Sequence, residues 1–281
     1  LCLACHHRVI ADGPAIKIGQ PEVKLGLLPG AGATQRIPRL ITVEAALPLL
    51  LQGKDISAQK AVELGLVHRV VPLDQLLETA KDWIIKVGHA VQPWDRRGFK
   101  VPGGPPNEGR AAQTMMVASA MYQAKTHGNY PAGEAILSCV YEGVGQDIDV
   151  GLAIELRHFV SLLMGTTAPA MVRTLFLSLQ DANKLASRPQ NVKKAELSQI
   201  GVIGAGLMGA GIANTAAKAG LQVVLIDRDL ASAERGKAHA AALFDKKIKR
   251  GKATEAEKRR HLTHIHATDQ YDRLADCQLV V

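Results

Sequence analysis

One segment constrains the fold of this chain more than any other: residues 198–227, which read SQIGVIGAGLMGAGIANTAAKAGLQVVLID. An apolar run of strand type at 198–203 leads directly into the glycine-rich GAGLMG. A helical pattern at 210–219 follows, and a second apolar run at 222–226 ends in Asp227. The acid follows the first glycine by roughly 20 residues, the spacing of a strand–turn–helix–strand unit that binds a dinucleotide.

The three glycines of this motif have separate physical roles. Gly204 permits a tight turn, Gly206 lets the backbone approach a pyrophosphate, and Gly209 lets the helix pack closely on the strand. The N–H groups around Leu207 and Met208, at the start of the helix, would bind the pyrophosphate. We predict cofactor-binding roles for all five residues; the alternative is a purely structural glycine-rich turn.

The acid at the end of the second apolar run predicts which dinucleotide binds. The Asp227 carboxylate would accept hydrogen bonds from the ribose hydroxyls and would repel a 2′-phosphate, which favours NAD over NADP. Arg228 could pair with such a phosphate and is the one residue that would favour NADP. We predict NAD as the cofactor.

Composition excludes several classes of protein. The chain has 281 residues, 47% hydrophobic but only 4% aromatic, which favours packed helices and buried parallel strands over a β-sandwich. No apolar run reaches the roughly 18 residues that span a bilayer, so we expect no integral membrane segment. The net charge of +8 fits a small polyphosphate ligand such as a nucleotide or coenzyme A. Basic residues are not interleaved with aromatic ones, so we expect no nucleic-acid partner.

Four scattered cysteines and the lack of a signal-peptide pattern favour a reducing compartment over a disulfide framework. We expect a cytoplasmic protein of bacterial type, with an organellar location left open. Cys2, Cys5 and His6 match the spacing of a c-type haem site. The family resemblance described below instead implies a helix here, on which Cys2 and Cys5, three residues apart, would be small core residues, and this is the interpretation we adopt. His261, His264 and His266 share no helix face, so we predict no metal site.

The chain divides into three zones. Residues 1–92 alternate short apolar runs with helical patterns, 93–190 form a linker and helical region that opens with a loop rich in proline and glycine, and 191–281 hold the dinucleotide motif. Helical pieces are predicted in the middle zone at 111–125, 132–144, 149–164 and 167–186. In the first zone, Ser57 is expected to begin a helix and Gly65 to end it.

The first zone resembles a known family. Between Gly19 and Pro72 it is similar, nearly position by position, to the crotonase (enoyl-CoA hydratase/isomerase) family, in GQPE, LGLLPGAG, TQR, PRL, ISA and GLV. The segment VIGAGLMGAGIA resembles the NAD-binding domain of L-3-hydroxyacyl-CoA dehydrogenase. In this order, joined by QPWDRRGFKVPGG and AKTHGNYPAGEAILSCVYEG, the two resemble the multifunctional α-subunit of the fatty acid β-oxidation complex.

The resemblance implies an α/β fold: the C-terminal part of a crotonase-like domain, a helical linker region and the N-terminal part of a Rossmann NAD-binding domain. It implies that Glu22 is a general acid/base in hydration of a 2-enoyl-CoA. The family's other catalytic glutamate would immediately precede Leu1, and the histidine and glutamate that serve oxidation would follow Val281.

The resemblance also implies NAD-dependent oxidation of L-3-hydroxyacyl-CoA to 3-ketoacyl-CoA, acyl-CoA thioesters as substrates and a thiolase β-subunit as partner. Two alternatives stay open from the sequence. The chain could be a catalytically incomplete remnant that binds CoA or NAD, or the first domain could be an enoyl-CoA isomerase fused to the dehydrogenase.

Overall fold

The computed structural model describes residues 1–189, 191–193 and 195–281 of the chain. These residues form two compact units, Leu1–Ser187 and Arg188–Val281. The predicted boundary between the helical zone and the nucleotide-binding zone falls at Gln190, which lies outside the described residues.

Two short strand pairs belong to the first unit. Strand β1 (Val9–Ala11) pairs in parallel with β4 (Arg69–Val71), and β2 (Lys17–Ile18) pairs antiparallel with β3 (Ile56–Ser57). The last residues of β1 and β4 lie opposite each other in register, and both are buried.

Helices account for most of the first unit. They are α1 (Ala33–Leu40), α2 (Val43–Gln52), α3 (Ala58–Glu63), α4 (Leu76–Val87), α5 (Gly109–Thr126), α6 (Pro131–Gly143), α7 (Ile148–Leu163), α8 (Thr167–Met171) and α9 (Leu179–Asn183), with a π-helical stretch, Val172–Ser178, before the last. Ser57 begins α3 as predicted, since its side chain accepts a hydrogen bond from the Lys60 N–H at 3.2 Å. Gly65 follows the end of that helix in the left-handed region, at φ 84°.

The helical zone packs onto the first zone in one apolar core. Leu28, Val43 and Leu50 are fully buried in the same cluster as Ile136 and Val140 of α6. Burying side chains of this size is worth roughly 1.5–3 kcal/mol each, so the contact between the zones is a large part of the unit's stability. The helical zone therefore continues the core of the first zone.

The second unit is built on a parallel sheet. Its strands are β5 (Gln199–Ile203), β6 (Gln222–Ile226), β7 (Ile265–Thr268) and β8 (Leu279–Val280), in the order β7-β6-β5-β8. Its helices are α10 (Leu207–Lys218), α11 (Leu230–Ile248) and α12 (Glu255–Leu262). The chain runs outward from β5 through β6 to β7 and returns to the other side of β5 with β8. In open α/β sheets, ligands bind at the carboxyl ends of the strands beside such a reversal.

Within the described residues, no single helix is both long and apolar enough to cross a membrane. Helix α7 and the stretch Thr167–Asn183 reach that length and apolarity only as a pair bent by 63°.

The expectation that Cys2 and Cys5 are core residues on one helix is wrong. The helical segment here is a single 3₁₀ turn, Cys2–Ala4, and both cysteines are exposed. Cys5 already has extended backbone angles, so the two thiols share no helix face. By contrast, Cys139 on α6 is fully buried.

Candidate functional sites

Glu22 lies in a 3₁₀ turn, Pro21–Leu25, which ends at Gly26 in the left-handed region with φ 76°. Proline suits the first position of such a turn, because its missing N–H would have no partner there. The Oε2 atom of Glu22 is buried and has no hydrogen-bond partner among the described residues. Buried polar atoms are nearly always paired in folded proteins. This carboxylate oxygen therefore lacks the hydrogen-bond partner that a buried oxygen normally has.

The loop that follows Glu22 passes closely under two helices of the helical zone. A Cβ atom on Gly26 would lie 2.9 Å from Sδ of Met171, and one on Gly30 would lie 2.6 Å from Cδ2 of Phe159. Glycine is required at both positions because a larger residue would push the loop away from these helices.

A buried carboxylate fixes the end of this loop. Glu155 of α7 is 2% exposed. It accepts hydrogen bonds from the Gly32 N–H at 2.6 Å, the Thr34 N–H at 3.0 Å and the Thr34 hydroxyl at 2.5 Å. Burial raises the pKa of Glu155, and these hydrogen bonds act in the opposite direction. Gly32 has no side chain to cap α1, and Glu155 supplies the missing oxygen from another helix.

A second buried group on α1 extends this polar contact. Arg39 is 2% exposed, and burial lowers its pKa to about 10. Its guanidinium donates to the carbonyls of Gln35, Gly143 and Gln146 at 2.7–2.9 Å. Gln35 in turn donates from Nε2 to the carbonyl of Cys139 at 2.8 Å. These hydrogen bonds join α1 to α6 and to the turn that follows α6.

The glycine motif of the second unit forms the turn that the sequence predicts. Gly204 follows β5 with φ 95°, a region that favours glycine. Gly206 is the N-cap of α10, which begins at Leu207, three residues before the predicted start. A Cβ atom on Gly209 would collide with the carbonyl oxygen of Gly204. Gly209 is therefore the residue that allows the helix to pack against the turn.

The start of α10 is open to a ligand. No side chain caps this helix, and within the described residues the N–H groups of Leu207, Met208 and Gly209 donate to no protein acceptor. A Cβ atom on Gly206 would point into open space, with no atom within 4 Å. Free N–H groups beside such a space suit the pyrophosphate of a dinucleotide, so the residues present fit NAD.

Asp227 follows β6 at its carboxyl end and contacts the glycine turn. Its Oδ2 accepts a hydrogen bond from the Ala205 N–H, and its Oδ1 accepts one from the Arg228 N–H, both at 2.7 Å. The bond from Ala205, followed by that from Arg228, lowers the pKa of Asp227. The guanidinium of Arg228 lies against Asp229, with Nε 3.2 Å from Oδ2.

A cleft of about 510 Å³ lies beside this turn. Of the predicted cofactor residues, Gly206, Leu207 and Asp227 line it, whereas Gly204, Met208 and Gly209 do not. Further residues that were not predicted to bind the cofactor also line the cleft: Ala205 and Ala210 near the glycine turn, Arg228 after β6, and Ser232, Arg235, Gly236 and His239 on α11. For Gly236 the sequence did contain an indication, because a glycine inside a helical pattern often marks a close backbone contact. Here its Cβ position lies 2.6 Å from the Ala205 oxygen.

Among the described residues, no group of three or more His, Cys, Asp or Glu side chains could hold a metal ion. His261 is buried, with Nε2 2.9 Å from Oδ1 of Asn214. His264 and His266 instead lie beside Gln222.

Comparison with protein families assigns each end of the chain. Residues 1–92 match the family model for enoyl-CoA hydratase/isomerase. Residues 199–281 match the model for the NAD-binding domain of 3-hydroxyacyl-CoA dehydrogenase. Each end of the chain is therefore similar to one of these two families. The predictions of a crotonase-like part, a Rossmann-like part and NAD as cofactor are confirmed.

Curated relatives align with the whole length of the chain. The chain is 36% identical over 289 residues to the fatty acid oxidation complex subunit alpha of Shewanella amazonensis, and 35% identical over 286 residues to that of Shewanella putrefaciens. The matches cover 100% of this chain and 40% of each relative. The predicted resemblance to the α-subunit is thus confirmed, and the chain spans less than half the length of these relatives.

Solved structures match parts of the chain. A (S)-3-hydroxybutyryl-CoA dehydrogenase from Ralstonia eutropha is 39% identical over 30% of this chain and 30% of that chain, with a TM-score of 0.30. An enoyl-CoA hydratase from Bacillus anthracis is 28% identical over 65% of this chain and 53% of that chain, also with a TM-score of 0.30.

Proposed function

We propose that this chain is part of a bifunctional enzyme of fatty acid β-oxidation. The protein hydrates a 2-enoyl-CoA to L-3-hydroxyacyl-CoA and then oxidises that product to 3-ketoacyl-CoA with NAD. The single observation that carries the proposal is the match of both family models to one chain, all of which aligns with the α-subunits. The zones 1–92, 93–190 and 191–281 are our proposed division into hydratase part, linker and helical region, and dehydrogenase part.

In the hydration step, Glu22 holds a water molecule and moves its proton. Its buried, unpartnered Oε2 gives a water molecule a strong acceptor in a site largely screened from solvent. The water oxygen adds to C3 of the thioester while a proton is delivered to C2. The 3₁₀ turn fixes the direction of the carboxylate, and the loop after it is held by α7 and α8.

In the oxidation step, this chain binds and orients the cofactor. When bound, NAD accepts the hydride that leaves C3 of the 3-hydroxyacyl group. The N–H groups at the start of α10 would bind the pyrophosphate, and the open space beside Gly206 would leave room for it. Asp227 accepts hydrogen bonds from the adenosine ribose and excludes a 2′-phosphate.

Partners and location follow from the same relatives. Their name, fatty acid oxidation complex subunit alpha, describes one subunit of a complex. We propose a thiolase β-subunit as the partner, because the 3-ketoacyl-CoA product is the substrate of thiolytic cleavage. The relatives are bacterial, and we propose a cytoplasmic location.

The proposed function is tested with the full-length protein, 2-enoyl-CoA and NAD. We expect loss of the enoyl absorbance followed by formation of NADH. Glu22→Gln should reduce hydration by a factor of about 100 or more and leave oxidation of added L-3-hydroxyacyl-CoA unchanged. Glu63→Gln, an exposed glutamate paired with Lys60, is the matched control and should retain both activities.

The isomerase alternative has a distinct outcome in this assay. A protein that converts 3-enoyl-CoA to 2-enoyl-CoA but adds no water would replace the hydratase assignment. A protein that binds NAD and acyl-CoA but shows neither reaction would support the remnant alternative and contradict the proposal.

A further inference from the structure

One face of α7 contacts the glycine loop that follows Glu22. Leu152, Glu155 and Phe159 are spaced three and four residues apart, so they lie on the same side of the helix. Phe159 packs on Gly30, and Leu152 and Glu155 both meet Gly32. α7 therefore contacts the loop at Gly30 and at Gly32. Of these three contacts, that of Glu155 is polar and the other two are apolar.

The Glu155 contact is directional in a way that apolar packing is not. Three donors converge on its two oxygens, and two of them are backbone N–H groups whose positions define the path of the loop. A carboxylate can accept all three, whereas an amide would turn an NH₂ group toward at least one donor. Replacing the carboxylate by an amide should thus displace the backbone at Gly32 and Thr34.

A displacement at Gly32 is transmitted to the catalytic turn. The loop between them is short and constrained: Leu27 donates its N–H to the Glu22 carbonyl at 3.1 Å, and Leu28 is fully buried. The chain is thereby fixed at both ends, by the turn at Glu22 and by Glu155. A misplacement of about 1 Å at a catalytic group can cost about 100-fold in rate.

We propose that Glu155 is a positioning residue for hydration, which holds the loop Gly26–Gly32 so that the Glu22 carboxylate faces the substrate. This inference rests on the proposed hydratase function. It means that the helical zone contributes to hydration. This zone follows the residues that match the hydratase/isomerase family.

The test compares variants of the full-length protein in steady-state hydration of 2-enoyl-CoA. Glu155→Gln should lower kcat at least about tenfold and change KM less than about threefold. The reason is that the loop orients the Glu22 carboxylate for the reaction and does not itself bind the substrate. Thr34→Val, which removes one of the three donors and is a milder change, should lower kcat about threefold. Thr34→Ser should retain the wild-type kcat, because serine keeps the hydroxyl.

A matched control and a structural readout separate positioning from general instability. Glu142→Gln removes a partly exposed glutamate of α6 that lies near His158 and does not contact the loop. It should leave kcat and KM at wild-type values. In Glu155→Gln, amide hydrogen exchange should accelerate at Gly32 and Thr34 while the NAD-linked oxidation rate stays constant.

The possible results separate the two proposals. An active wild type with a Glu155→Gln variant at wild-type kcat would overturn the positioning role alone. The positioning role is also overturned if Glu155→Gln does not fold and Thr34→Val has the same kcat as Thr34→Ser. A wild-type protein that does not hydrate 2-enoyl-CoA would overturn the proposed function and this inference with it.

Discussion

The carboxylate of Glu155 lies 2.6 Å from the backbone nitrogen of Gly32, a residue 123 positions earlier in the chain. This contact joins the helical zone to the loop that follows the candidate catalytic residue Glu22. The helices after residue 109 thus do more than connect the two regions matched by family models, since they bury a carboxylate that completes the start of α1.

The guanidinium of Arg39 should be essential to the stability of the first unit. Arg39→Met keeps a similar length but leaves the carbonyls of Gly143 and Gln146 without their donor. We expect the free energy of unfolding to fall by about 3 kcal/mol, as is typical when a buried polar network loses one member. Chemical denaturation, monitored by hydrogen exchange in each unit, measures the free energy of unfolding. Arg36→Met, on the same helix, is the control; an equal loss in both variants would contradict a specific role for Arg39.

Cys139 should resist alkylation in the folded protein. Its side chain is fully buried, and burial raises the pKa of the thiol to about 12, so very little thiolate forms at neutral pH. Iodoacetamide labelling with peptide mass spectrometry should show Cys139 unmodified in buffer and modified in denaturant. Modification in buffer on the timescale of a free thiol would show that α6 does not pack as described.

Asp227 should determine the choice between NAD and NADP. Asp227→Asn removes the negative charge near the ribose position and weakens the acceptor of the Ala205 N–H. We expect the affinity for NAD to fall about tenfold, which corresponds to about 1.4 kcal/mol of binding free energy. The affinity for NADP should rise. Asp276→Asn, an exposed acid outside the cleft, makes the same charge change as a control. Calorimetric titration with NAD and with NADP measures both affinities. An unchanged preference for NAD over NADP in Asp227→Asn would contradict the role assigned to Asp227.

The second unit should lose stability in mild acid. Burial, and then the charges of His264 and Lys247, lower the pKa of His261, which faces Asn214. A histidine with a lowered folded pKa stabilises the fold above its unfolded pKa of about 6.5, and that contribution is lost as pH falls toward the folded value. The protection factors of the β7 amides, which are corrected for the slower intrinsic exchange at lower pH, should therefore decrease between about pH 7 and pH 5. His261→Gln should reduce this pH dependence, whereas His239→Gln, an exposed histidine, should not.

Local patterns predicted the second unit well. The strand, the glycine turn, the helix and Asp227 are neighbours in sequence, so their spacing alone gives their arrangement. The helix cap at Ser57 was predictable for the same reason. The start of α10 at Leu207 differs from the predicted 210 because the glycine-rich segment itself adopts helical angles once Gly206 serves as the N-cap.

Long-range contacts could not be predicted in this way. Glu155 lies in an amphipathic helical pattern where a glutamate is expected to face solvent, and nothing near it in sequence indicates Thr34 or Gly32. The error at Cys2 and Cys5 has a related cause, because an i, i+3 spacing indicates a shared face only if the segment is helical. Apart from Gly236, the residues of α11 that line the cleft have no local signal in the sequence, because long-range packing brings α11 to the glycine turn.

The two proposed reactions use separate sites in the two units of this chain. The most direct measurement compares both half-reactions in two full-length variants, Glu22→Gln and Gly209→Val. The valine would collide with the Gly204 carbonyl and disrupt the cofactor turn. We predict that Glu22→Gln loses hydration and retains NAD-linked oxidation, and that Gly209→Val shows the reverse. Loss of both activities in either folded variant would contradict the assignment of two separate sites.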